Sequence, residues 1–292
     1  MALVPDPSAP DGSWRTLLEE IEAAAGDGGA NAARRAVGTA RALRDAARDP
    51  DGARFGPALA ELERLQRDRA GASWPGARLA REVRYNRLAP YERAAWLYLV
   101  AAVGGLAAAW TGHAAARVCA LALLAGSLGL HAGGFFLRWG VVGHVPLSNL
   151  YEAVAAAAMG IVLWALVLEA SRPTGWVCFA SSLAASGVLM LLHLVLPGVL
   201  GPYPQVLQPA LQSWWMRYHV SCMVIGGYGG GGTAAALAHL YLAGYLFRPG
   251  AAAFRRSLER HLYWAVTIAV TFLGVGLCLG AAWAGDSWGR YW

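Results

Sequence analysis

Lysine is absent from the 292-residue chain, and carboxylates nearly vanish from its larger part, where residues 94–292 hold four of the 18. The missing lysine is taken as coding bias toward GC-rich codons and carries no functional weight. The scarcity of acids does carry weight: residues 1–93 hold 15 arginines and 14 acids, whereas residues 94–292 hold nine arginines. With 57% hydrophobic residues, only 14% charged and a mean hydropathy of +0.40, a soluble globular protein is excluded. The four cysteines, Cys119, Cys178, Cys222 and Cys278, fall singly in apolar runs with no C-x-x-C pair. That argues against a disulfide framework, a zinc site and a dithiol redox centre. Residues 1–14 lack the basic region and apolar core of a signal peptide. The net charge of +6 points to loop arginines that set membrane orientation, not to nucleic acid.

What is present divides into three parts. Residues 1–80 are Ala/Arg-rich and soluble, and the spacing of Trp14, Leu17, Leu18 and Ile21, then Leu59, Leu62 and Leu65, predicts two or three amphipathic helices. Linkers are expected at 26–29 and 49–52. Residues 81–93 form a juxtamembrane collar of Arg81, Arg84, Arg87 and Arg93 beside Tyr85 and Tyr91. Residues 94–292 carry six apolar runs near spanning length, at about 94–112, 118–136, 151–170, 176–196, 216–247 and 262–283. The expected fold is an all-α polytopic membrane helix bundle of about six spans with an N-terminal soluble helical segment. The fifth run is too long for one upright span, so it tilts, protrudes or breaks within 226–232, where six of seven residues are glycine. Two readings of that glycine run stand: close packing of neighbouring helices, or a flat ligand against bare backbone.

Arg248, Arg255, Arg256 and Arg260 lie between the last two runs against one Glu, which places that loop in the cytoplasm. Alternation then puts residues 137–150, 197–215 and 284–292 outside. It also puts residues 1–93 outside, although their arginines and lack of an export signal favour the inside; both readings stay open.

Of seven histidines, His113, His193, His239 and His261 read as packing residues. His131, one turn before the outer end of the second run, His144 in the outer loop, and His219 at the start of the fifth run gather at one membrane face. A neutral imidazole can ligate a metal or a haem iron, and an ionisable residue at such a depth is a functional hypothesis by default. The same face receives Trp139, Trp214, Trp215, Trp283, Trp288, Tyr291 and Trp292. An interfacial belt explains some of these, but three indoles and a phenol within 283–292, interspersed with glycine, form a surface suited to a large planar ligand such as a porphyrin.

The stretches RWGVVGHVPLSNLYE (138–152), PALQSWWMRYHVS (209–221) and LGAAWAGDSWGRYW (279–292) resemble, in order and spacing, three signatures of the CcsA/ResC family of cytochrome c biogenesis proteins. The last resembles the first half of that family's tryptophan-rich WWD element. The first two separate the chain from the related CcmC and CcmF branches. The resemblance implies an integral protein of the bacterial inner membrane or a thylakoid-type equivalent. Such a protein works with CcsB (ResB) to carry haem b to the outer face and attach it to the Cys-x-x-Cys-His thiols of apocytochrome c. It implies that His219 is an external ligand of the haem iron, that Trp283, Trp288, Tyr291 and Trp292 open the porphyrin-holding element, and that Asn149 or Glu152 shapes the wall of the site by bonding backbone or propionate. Trp214, His131 and His144 complete the candidate set. Nothing in the sequence stands as a general base, so no catalytic residue is assigned; the thiolate of the cytochrome is the nucleophile. Asp286 stands where the family often has Glu. The family continues past this point with W-D-P-K-E and further histidines, so the chain reads as a fragment expected to be inactive in ligation by itself. An alternative is a CcmC-like haem exporter or chaperone without ligation chemistry; a third reading is a scaffold whose aromatics are only a belt.

Overall fold

The computed structural model describes residues 2–5, 14–16, 18–19, 30–49, 52–196, 200, 207, 209–247 and 250–289. It comprises two compact units, residues 1–77 and 78–292.

In the first unit, helices α1 (Ala30–Ala46) and α2 (Phe55–Ala70) pack together, burying Ala36, Ala46, Leu62 and Leu65. Strands β1 (Ala2–Pro5) and β2 (Trp14–Thr16) pair antiparallel. Trp14 is therefore extended, contrary to the helical spacing predicted for it. The helical turn begins only after Thr16, because Thr16 and Glu19 cap one another: the Thr16 amide donates to Glu19 Oε2 at 2.6 Å and the Glu19 amide to Thr16 Oγ1 at 3.2 Å. Leu17, Ile21 and the linker expected at 26–29 lie outside the described residues.

In the second unit, α3 (Gly76–Leu88) meets α4 (Pro90–Thr111) across a single residue, Ala89. Proline disfavours α conformation in the residue before it and suits the first helical position after it. Ala89 leaves the α region for the left-handed one, at φ 41°, and the helix restarts at Pro90. Next come α5 (Ala114–Val142), α6 (Leu150–Ser171) and α7 (Trp176–Met190), which continues as a π-helical turn, Leu191–Val195. A second group holds α8 (Trp214–Ser221), a π-helical segment (Cys222–Tyr228), α9 (Gly229–Phe247) and the long α10 (Ala252–Trp288).

Among the described residues, five helices are long and apolar enough to cross a membrane: residues 76–111, 114–142, 150–171, 176–195 and 252–288. The second unit is an all-α polytopic membrane bundle. The expected fifth run is divided into α8, the π segment and α9, which follow one another without a loop.

Without water, apolar helices associate through close contact and internal hydrogen bonds. Residues Ala94, Tyr98, Leu124, Val162, Ala165, Val177, Cys178 and Leu189 form the buried core of α4–α7. Gly160 of α6 and Gly229 of α9 touch backbone to backbone, since a Cβ on Gly229 would lie 2.6 Å from the Gly160 Cα. Gly226, Gly227, Gly230 and Gly232 likewise face Phe272, Leu273, Ala269 and Ile161 at distances that leave no room for a side chain. Five of the six glycines thus sit against neighbouring helices, as close packing predicts; a Cβ on Gly231 would meet nothing within 4 Å, and Gly232 also lines an apolar cavity between α6, α7 and α9. Polar groups are met internally: Ser186 Oγ donates to Ala95 O at 2.8 Å, Thr233 Oγ1 to Ile161 O at 3.0 Å, and the Trp164 indole to Ile225 O, within the π segment, at 3.0 Å.

Candidate functional site

Helix α8 is preceded by Ser213, whose hydroxyl reaches across to α10 and donates to Asp286 Oδ2 at 2.6 Å. This bond joins the start of α8 to the last turns of α10. Six residues on, the half-buried His219 packs against α10. Its Nδ1 lies 2.7 Å from the carbonyl oxygen of Gly276. A carbonyl only accepts, so in the neutral ring Nδ1 carries the proton and Nε2 keeps its lone pair. The Trp283 indole lies almost parallel to the imidazole, 7° apart with centroids at 5.9 Å. Trp288 meets Trp283 edge to face at 4.7 Å and 62°. One imidazole nitrogen is thus committed to a backbone carbonyl beside an aromatic pair, an arrangement also found where a histidine binds a metal through its other nitrogen.

Trp214 heads a second aromatic group, lying 6.3 Å from Trp215 and 4.8 Å from Tyr218, with the Arg217 guanidinium 5.8 Å from its ring centroid. His144, whose Nδ1 lies 3.0 Å from Val145 O, lines a small cavity with Leu147, Ser148, Met216, Arg217 and Val220. The 144–148 loop and the start of α8 therefore share one end of the bundle. On the side of α8 away from His219, Arg217, Tyr218, Ser221 and Ile225 line an apolar crevice of about 580 Å³ with Phe135, Trp139 and Met159. Crevice and imidazole are separate features.

His131 does not join the His219 group. It is fully buried within α4–α7, where Nδ1 pairs with Tyr98 OH at 2.9 Å and the ring packs 4.9 Å from Tyr91. The reason is the face it occupies: Ala120, Leu124, Ser127, His131, Gly134 and Arg138 recur at helical spacing along the buried side of α5. His193 sits in the same core, bridging Tyr151 OH at 3.2 Å and Leu189 O at 2.8 Å.

Asn149 is the N-cap of α6, accepting the Glu152 amide at 2.9 Å. The Glu152 carboxylate accepts from Arg138 Nε at 2.8 Å, Ser148 N at 2.9 Å and Ser148 Oγ at 2.8 Å, and is 2% exposed. Arg138 is also buried and lies over the Tyr151 and Tyr85 rings. These residues brace the loop between α5 and α6 from within. Tyr291 and Trp292 lie outside the described residues. Among the described residues, no group of three or more His, Cys, Asp or Glu is placed to hold a metal ion.

Sequence reasoning passed over Arg138, although a guanidinium 14 residues from a lone Glu in an apolar chain signals a buried pair. It also passed over Glu169, whose carboxylate caps the start of α7 by accepting the amides of Thr174, Gly175 and, at 2.9 Å, Cys178.

Fold and site together define a class: a polytopic helical membrane protein presenting one imidazole nitrogen among tryptophans at one end of its bundle. The chain belongs to the cytochrome C assembly protein family, whose model matches residues 147–292. It is 32% identical over 170 residues to Protein NrfI of Wolinella succinogenes, covering 56% of this chain and 18% of that protein. Cytochrome c biogenesis protein CcsA of Synechococcus sp. strain CC9605 is 26% identical over 191 residues, covering 56% of this chain and 62% of its own. CcsA of Microcystis aeruginosa is 25% identical over 233 residues, covering 62% and 67%. The chain thus spans less than two thirds of the length of the first two.

Proposed function

We propose that the protein binds haem during cytochrome c biogenesis and presents it at the outer membrane face, for attachment to apocytochrome c together with a CcsB-type partner. His219 supplies an axial ligand to the haem iron through Nε2. Haem is here the substrate carried, not a resident cofactor. The observation that carries this reading is the His219 ring itself: Nδ1 is committed to Gly276 O while Nε2 faces no protein partner among the described residues. The tryptophans exclude water from the iron and the ring, which favours the reduced metal and keeps the macrocycle in one pose. Attachment of vinyl carbons to cysteine thiols then depends on position more than on acid or base groups, and none is needed from this chain. Trp214 and Trp215 are exposed, as indoles at a lipid–water boundary are.

The test is absorbance of the protein purified from membranes and titrated with haem. A Soret band that His219→Ala weakens by tenfold or more, on the order expected for a lost metal ligand, supports the reading. Equal binding by the variant would overturn it. Co-expression with a CcsB-type partner in a cell lacking its own system then asks about ligation. Bound haem without thioether product would assign carriage alone, the exporter reading.

A further inference from the structure

We infer that one face of α10, formed by Gly276, Gly280 and Trp283, is a positioning device for His219: it fixes the tautomer and rotation of the imidazole, and so assigns Trp288, not Trp283, to face the haem plane. This rests on His219 being a haem ligand.

Residues 276, 280 and 283 are spaced by four and three, so they share one face of the helix. Each acts on a different freedom of the ring. The Gly276 carbonyl, 2.7 Å from Nδ1, accepts its proton and selects the tautomer. Gly280 supplies space, because a Cβ built there would lie 2.8 Å from both Cε1 and Nδ1 of His219. Trp283, parallel to within 7°, fixes the rotation of the ring about its stem.

The orientation of the ligand follows from coordination geometry. The bond from Nε2 to a metal lies in the imidazole plane, and a porphyrin stands perpendicular to that bond. A porphyrin held by His219 is therefore nearly perpendicular to the imidazole and to Trp283, which can offer it only an edge. Trp288, turned 62° from Trp283 and 57% exposed, is the indole of the pair able to turn its face to the macrocycle. The two tryptophans have different tasks: Trp283 holds the ligand residue, and Trp288 holds the ligand's plane.

The experiment uses full-length protein labelled with ¹⁵N-histidine in micelles, with the His219 signals assigned by their loss in His219→Gln. Long-range proton–nitrogen spectra report which ring nitrogen bears the proton without any haem present. The wild type should show protonated Nδ1 and bare Nε2. Gly280→Ala meets only a side-chain ring, not backbone, so the helix should form; the ring should be displaced, its tautomer signature lost, and haem affinity lowered about tenfold. Trp283→Leu should give the same signature, Trp283→Phe a weaker one. Trp288→Leu should lower haem affinity with the tautomer unchanged. Helix content by circular dichroism separates a displaced ring from a misfolded chain. If Gly280→Ala and Trp283→Leu both leave the His219 signals as in the wild type, the positioning role is wrong. If they change the tautomer while His219→Ala binds haem normally, positioning stands and the haem reading fails.

Discussion

Two polar groups at the same end of the bundle show opposite treatments of an ionisable side chain in an apolar fold. At the corner between α5 and α6, the Glu152 carboxylate accepts three hydrogen bonds from Arg138 and Ser148 and is sealed from solvent. At the α8–α10 contact, His219 satisfies one nitrogen on Gly276, and the other has no partner among the described residues. The first arrangement meets the carboxylate from within the chain and so stabilises; the second, on the proposed reading, keeps one nitrogen for the haem iron. The difference separates structure from function more sharply than burial or charge alone, since both groups are polar residues in a mostly hydrophobic sequence.

The comparison can be broken most severely at the corner. Glu152→Ala strands a buried guanidinium and should cost roughly 3–5 kcal/mol, read as a large loss of thermal stability in micelles; a near-neutral result would show that the pair is not what holds the loop. Gly229→Val drives a side chain into the Gly160 backbone and should cost up to about 3 kcal/mol, measured the same way. His219→Ala should behave oppositely, losing about 1 kcal/mol or less while removing haem binding. A collapse of stability there would place His219 with Glu152 as a structural residue. Smallest of all, Ala89→Gly should raise stability by roughly 0.5–1 kcal/mol, because an L-residue in the left-handed region is strained.

Much of this was legible beforehand. Runs of about 20 apolar residues announce helices because lipid leaves the backbone no other partner, and alternation of loops placed His219 and the tryptophans of α10 at one end. Which way a residue faces was not legible. A helix that is apolar all round carries no stripe to orient it, so His131 was grouped with His219 although its helix turns it into the α4–α7 core. The glycines after Ile225 were ambiguous for a related reason: a missing side chain leaves room for a neighbour or for a ligand, and it takes the positions of Phe272, Ile161 and Gly160 to show that five of the six meet a neighbour. The bond from Nδ1 to Gly276 O joins residues 57 apart, a distance at which local pattern carries no information.

The break at Ala89 has a mechanical meaning. Arg78 and Arg81 fasten α3 to the end of α5, at Val141 O and beside Gly140. Immediately after the break, Pro90 occupies the space that a side chain on Gly134 would need. Any pull or push applied to residues 78–88 therefore reaches the membrane bundle at two places, the arginine contacts at the end of α5 and the Pro90 elbow, where it bears on the α4–α5 seam a short step from His131.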